Sequence, residues 1–263
     1  MKIDKTIIIA LIGAIASIVT AFFGYLSVTH SGKESGQEAH TVPLYPNEKI
    51  VDNFPVVTNA SNYTVLRGVT VFDLRAWKPF EGIDRKKERT QPVYCIDYLT
   101  IIKTKECDKY VSHFATIGFG IDLRCVTHNF EILKREGTAR HHDEDGWIEY
   151  QVEIDISRMP LNKEFLVIVE GTYWNGFINN SSESASTYTR DDVDNLQEIA
   201  LIIIFPTKKP FKSYELLTRG DNDKDTIYRG PINSLYTDKD KQLIYWNIGE
   251  REKNRHYTIK WDW

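Results

Sequence analysis

The chain has 263 residues, 33 lysines and arginines against 37 acidic residues, and a formal net charge of −4. That balance gives no global pull toward nucleic acid, so no nucleic-acid duplex is expected as a partner. Twelve percent aromatic and 41% hydrophobic residues are enough to build a packed core, which excludes a disordered chain.

The first element is a run of 23 uncharged residues, 6–28, after a short tail at 1–5. As a helix it spans roughly 34 Å at about 1.5 Å per residue, enough to cross a hydrocarbon core of about 30 Å. A signal-peptide h-region is shorter, about 7–15 residues, and the small-x-small triplet Ala14-Ile15-Ala16 lies mid-run, where a peptidase has no access. The expectation is a retained, single-pass transmembrane helix, with the lipid bilayer as its first partner. Gly13, Ser17 and Ala21 recur every fourth residue, and Ala16, Thr20 and Gly24 form a second such row. Positions four apart share a helix face, and small side chains let two backbones approach in lipid. Gly13, Ser17, Ala21 and Gly24 are therefore the candidate self-association residues.

Lys2 and Lys5 precede the run and only Lys33 follows closely, which by the positive-inside tendency places the body outside the cytoplasm. The three cysteines, Cys95, Cys107 and Cys125, are too few and too irregular for a disulfide framework or a zinc site. Read as reduced thiols, they favour the cytosol. The two signals oppose each other, and the side of the membrane stays open.

Residues 29–50 are polar and aperiodic and read as a flexible tether. Residues 51–263 then suit a single β-rich soluble domain. In 149–156, Tyr150, Val152, Ile154 and Ile156 alternate with polar residues, a strand with one wet face. Tyr257, Ile259, Trp261 and Trp263 alternate in the same way. Residues 165–169 and 199–205 are apolar throughout and are expected as central strands covered on both faces. Further strands are expected at 65–77, 93–103, 111–126, 129–134, 214–218 and 243–248, with a hairpin at Asp145-Gly146 and one short helix near 190–197. About ten strands at this spacing predict an all-β fold, either a β-sandwich or a closed β-barrel.

Phe72-Asp73-Leu74-Arg75 echoes Ile121-Asp122-Leu123-Arg124, each placing an Asp and an Arg two apart, where they can pair on one strand face. The cluster 141–145 (HHDED) carries metal-ligand types, but it falls at the hairpin tip. The loop 221–225 (DNDKD) lacks the Gly and Glu that an EF-hand requires, so no metal site is expected. No cofactor is expected either. Nucleophile elbows, H-E-x-x-H and phosphate-binding loops are missing, and Gly118-Phe119-Gly120 is only a fragment of a dinucleotide fingerprint.

The best candidates for an anionic ligand are Arg85, Lys86, Lys87 and Arg89 between two strands, and Lys208, Lys209 and Lys212 beside another. Tail, span, tether and ligand-sized β-domain together resemble, by architecture alone, the membrane effectors of prokaryotic anti-phage signalling, in which a β-domain senses a nucleotide messenger. The resemblance implies a non-enzymatic sensor that binds a small anionic ligand or a protein partner and signals by clustering its helix. Two other readings stand beside it. One is an extracytoplasmic glycan- or protein-binding display module, with Trp174 and the 221–225 loop as contacts. The other is a membrane-tethered hydrolase, since triads assemble in space rather than in sequence.

Overall fold

The computed structural model describes residues 48–55, 62–78, 82, 89–138, 146–189, 196–220, 224–249 and 252–263. The expected span at 6–28, with Gly13, Ser17, Ala21 and Gly24, lies outside the described residues, as do residues 190–195 of the expected short helix. Among the described residues no helix is long and apolar enough to cross a membrane.

These residues are all-β, in three sheets. The first contains β1 (Glu48–Ile50), β6 (Phe130–Thr138), β7 (Trp147–Asp155) and β4 (Lys109–Thr116), in that order. The second has seven strands: β13 (Ile232–Thr237), β14 (Leu243–Ile248), β10 (Glu198–Ile204), β2 (Tyr63–Asp73), β3 (Pro92–Lys103), β8 (Glu164–Trp174) and β5 (Gly120–Cys125). The third orders β12 (Thr226–Ile227), β11 (Ser213–Gly220), β15 (Arg255–Asp262) and β9 (Ser182–Thr189). Pairing is antiparallel except for β1 with β6 and β10 with β2.

Register explains how the layers pack. Across the seven-stranded sheet, Ile203, Phe72, Cys95, Gly171 and Leu123 face one another in one row, and Leu201, Thr70, Asp97, Val169 and Cys125 in another. Because side chains alternate along a strand, both rows lie on one face. The third sheet covers one half of that face, through Trp246 against Tyr257 (ring centroids 6.1 Å apart) and Thr70 Oγ1 against Thr187 Oγ1 (3.2 Å). The first sheet covers the other half, through Tyr63 against Tyr110 (5.0 Å) and the Tyr150 hydroxyl accepting the Ile121 amide (3.0 Å). All three sheets run between free edges, so the arrangement is a layered sandwich rather than a closed barrel.

Local departures from the expected elements have physical causes. The single strand expected at 111–126 is two strands in different sheets, β4 and β5. The chain crosses between layers at Gly118, where a Cβ would stand 2.3 Å from the Trp174 carbonyl, so only glycine fits. β2 stops at Asp73, and the turn at 75–76 follows. The wet face expected for 149–156 is partly closed: Glu149 is buried and paired with Arg135, whose guanidinium in turn lies over the Phe54 ring (5.0 Å). β8 and β10 are central strands, and on their second face Ala200 is buried, Ile168, Ile202 and Ile204 are half-buried and Leu166 is exposed. Trp261 and Trp263 are buried as alternation predicts, whereas Trp147 is half-buried.

Candidate functional site

β10 ends at Ile204 because Phe205 turns into the core and Pro206 offers no amide for further pairing. A turn follows, in which the Lys209 amide donates to the Pro206 carbonyl (3.0 Å). The segment is then tied down on two sides. The Phe211 amide donates to the Lys241 carbonyl (3.2 Å), and the Lys212 amide to the Asp262 carbonyl (2.8 Å). These bonds gather Lys208, Lys209, Lys212 and Lys241 around one cavity of about 520 Å³, completed by Asn180, Pro210, Phe211 and Trp263.

The floor beside the lysines is aromatic. Trp77 and Trp263 stack with centroids 4.7 Å apart and planes 27° apart. Their indole NH groups donate to the Phe177 carbonyl (2.6 Å) and the Asn179 carbonyl (3.0 Å), so both rings are fixed from behind. The Lys209 ammonium sits 3.8 Å from the Trp77 centroid and 4.5 Å from that of Trp263, a cation–π seat, and donates to the Asn180 carbonyl (3.2 Å).

No carboxylate lines this cavity. Burial, and then the charge of Lys212, push the Lys209 pKa below the ordinary lysine value, against a pull from Glu183. Lys241 adopts a left-handed backbone (φ 54°) at the end of a turn in which the Asp238 carboxylate accepts the Gln242 and Leu243 amides (2.6 and 2.7 Å). That conformation is uncommon for a side chain of this kind, and here it accompanies an ammonium that donates to the Lys212 carbonyl (3.1 Å) at the cavity wall.

The structure therefore brings Lys208, Lys209 and Lys212 to one place and adds Lys241, which sequence spacing did not reveal. Arg89 is elsewhere. It pairs with Asp122 (2.9 Å) and lies over the Phe119 and Trp174 rings (5.6 and 5.8 Å), and the Trp174 indole donates to the same carboxylate (2.8 Å). Arg85, Lys86 and Lys87 lie outside the described residues. Trp174, expected as a contact of a glycan- or protein-binding module, thus packs with Arg89 and donates to Asp122. The two Asp-Arg echoes also part company. Asp73 pairs with Arg75 (2.6 Å), beyond the end of the strand, whereas Asp122 takes Arg89 and Arg124 takes Glu170 (2.6 Å).

A second cavity, of about 610 Å³, lies beside Cys125, Thr127, His128, Asp155 and Arg158. There Thr127 Oγ1 and His128 Nδ1 are 2.7 Å apart, but Thr127 also accepts the Ile168 amide (3.1 Å). Asp155 is held by the Ser157 amide and hydroxyl (2.9 and 2.6 Å), so no third group orients the imidazole as a nucleophile–base pair requires. Burial lowers the His128 pKa, with Asp155 opposing. Asp97, in the seam between the second and third sheets, has an Oδ1 sealed from solvent without a hydrogen-bond partner. Burial raises its pKa to about 6, against the neighbouring Thr70 hydroxyl. Among the described residues no group of three or more His, Cys, Asp or Glu side chains is placed to hold a metal ion. Of the 221–225 loop, Lys224 and Asp225 are described and exposed, and Asp225 pairs with Arg219 (3.6 Å).

Compared with known proteins, the chain matches no protein-family model and no curated protein sequence. The class that the fold and site define is a layered β-sandwich carrying a lysine-walled, tryptophan-floored cavity.

Proposed function

We propose that the protein is a membrane-anchored, non-enzymatic binding module whose β-rich body takes up a small phosphate-bearing anion between Lys208, Lys209, Lys212 and Lys241. The observation that carries this reading is that four lysines line one cavity whose lining holds no carboxylate. Bringing like charges together is unfavourable, and an anion bearing several negative charges relieves it. The cavity volume falls in the range of about 300–1,000 Å³ typical of small-molecule sites, large enough for a nucleotide. Binding is passed on by clustering of the helix at 6–28 through its small-residue rows. The buried, unpaired Cys95, Cys107 and Cys125 support a reducing compartment and hence a cytosolic body.

The test is calorimetric titration of the full chain in detergent with inorganic pyrophosphate and with ADP at low salt. Saturable binding of at least one probe is expected. Lys209→Glu combined with Lys241→Glu is expected to weaken it by about 100-fold, with an unchanged near-ultraviolet circular dichroism spectrum. Absence of binding by the parent chain, or equal binding by the double variant, overturns the proposal.

A further inference from the structure

The second cavity, of about 610 Å³, is walled by two connections between layers. β5 ends at Cys125, on the face of the seven-stranded sheet that carries the other two sheets. The chain then crosses toward β6, bringing the His128 ring to 5.9 Å from that of Phe165. From the facing sheet, β7 ends at Asp155, and the turn after it closes with the Met159 amide donating to the Ile156 carbonyl (3.0 Å). Cys125, His128 and Met159 thereby line one cavity. Met159 is the chain's single methionine after Met1, so the one thioether of residues 51–263 shares this cavity with a thiol and an imidazole.

Thr127 Oγ1 stands between two of these donors, 3.6 Å from Cys125 Sγ and 2.7 Å from His128 Nδ1. Sulfur and ring nitrogen are therefore no farther apart than those two distances laid end to end. An ion at about 2.3 Å from sulfur and about 2.0 Å from imidazole nitrogen holds such a pair within about 4.3 Å. The pair closes to that separation when His128 exchanges the threonine hydroxyl for the ion. We propose that this cavity binds one soft monovalent cation, copper(I), through Cys125 Sγ, His128 Nδ1 and Met159 Sδ.

The donor set selects the ion. Thiolate and thioether together suit copper(I), whereas calcium and magnesium require oxygen, and zinc takes thiolate and imidazole rather than thioether. The one carboxylate of the cavity, Asp155, has its Oδ1 engaged by the Ser157 amide and hydroxyl (2.9 and 2.6 Å). Charge agrees with the donors. On binding, the Cys125 S–H bond is replaced by an S–Cu bond and the proton leaves to solvent, with no change of oxidation state. Thiolate and copper(I) sum to zero, and neutral imidazole and thioether add nothing. A sulfur only 8% exposed therefore acquires no uncompensated charge, whereas a divalent ion there leaves a positive one in a cavity that Arg158 also lines. The buried free thiols support a reducing compartment, where copper is monovalent. The site shares no residue with the lysine cavity and does not rest on that reading.

The experiment is titration of the full chain in detergent with copper(I) under argon, in competition with bicinchoninate, followed by X-ray absorption at the copper edge. The parent is expected to hold an equivalent with both sulfur and nitrogen among its nearest scatterers. Met159→Leu, which conserves volume, and His128→Gln are each expected to weaken retention of that equivalent at least about tenfold, since even an outer-shell partner is worth that much. Cys125→Ser is expected to abolish it. Excess zinc is expected to leave the ion in place. A near-ultraviolet spectrum matching the parent verifies that each variant is folded, and where Cys125→Ser does not fold, Met159→Leu decides. Absence of uptake by the parent overturns the proposal. So does retention undiminished in Met159→Leu, which assigns copper to the thiol alone, and so does displacement by zinc, which assigns the cavity to a divalent ion.

Discussion

Two cationic places on this molecule look alike in sequence and differ in structure. Arg89 meets its charge partner directly, with Asp122 at 2.9 Å and two aromatic rings beneath the guanidinium. Lys209 also sits over two rings, but its hydrogen-bond acceptor is a neutral carbonyl, and the charge of Lys212 outweighs that of Glu183 beside it. The first arrangement is complete and has a structural use. The second leaves Lys209 without an ion pair in a concave place lined by three further lysines, where an anion meets converging donors. A basic cluster thus says little until its carboxylates have been located.

The largest expected effect comes from removing a ring on which Lys209 sits. Trp77 is 4% exposed and packed on Trp263, so Trp77→Ala should cost about 3–5 kcal/mol and lower the melting temperature by about 10 °C. Probe affinity should fall with it, because Lys209 loses its seat. Calorimetry of unfolding alongside the ADP titration checks both, and unchanged affinity would separate the rings from the site.

A smaller effect should follow from pH. Burial and Lys212 depress the Lys209 pKa, so on raising pH this ammonium deprotonates before an ordinary lysine. Affinity for pyrophosphate should therefore decline through that depressed range. The same group's contribution to stability should move the opposite way, since the unfolded chain binds the proton more tightly there and rising pH removes the cost of charging Lys209 in the fold. Parallel titrations and melts across the alkaline range would show the divergence, and Lys209→Gln should abolish it.

The smallest expected effect is at the compensated place. Arg89→Ala should leave probe affinity within about twofold and cost no more than about 1 kcal/mol of stability, diminishing with salt. A larger loss of affinity would erase the distinction between the two clusters.

Period-two patterning made the β-character of the chain legible, because alternation is a local property: Tyr257, Ile259 and Trp261 point inward as the spacing requires. The division at 116–120 was not legible. It depends on a backbone approach between Gly118 and Trp174, residues far apart in the chain. Lys208, Lys209 and Lys212 could be singled out because they lie close together in sequence. Lys241 could not, since it reaches the same cavity through the Phe211–Lys241 backbone bond between two loops. The apolar run at 199–205 predicted cover on both faces. Ile199, Leu201 and Ile203 on one face and Ala200 on the other are buried, while Ile202 and Ile204 are only half-buried.

The strand order of the third sheet also dictates a sequence of events during synthesis. Among the described residues, β9 pairs as a strand only with β15, and β11 only with β15 and the two-residue β12. β9 is made more than sixty residues before the strand it needs, with β10 to β14 intervening. On the ribosome, this layer therefore waits for its middle strand, while the Trp246 half of the large sheet has no lid. Contacts so distant along the chain close slowly, and exposed strands meanwhile invite misassociation. The aromatic floor and lysine wall, which borrow Trp263 and the Asp262 carbonyl, are completed in that same last step. A nascent chain thus lacks the proposed anion site until β15 has been made.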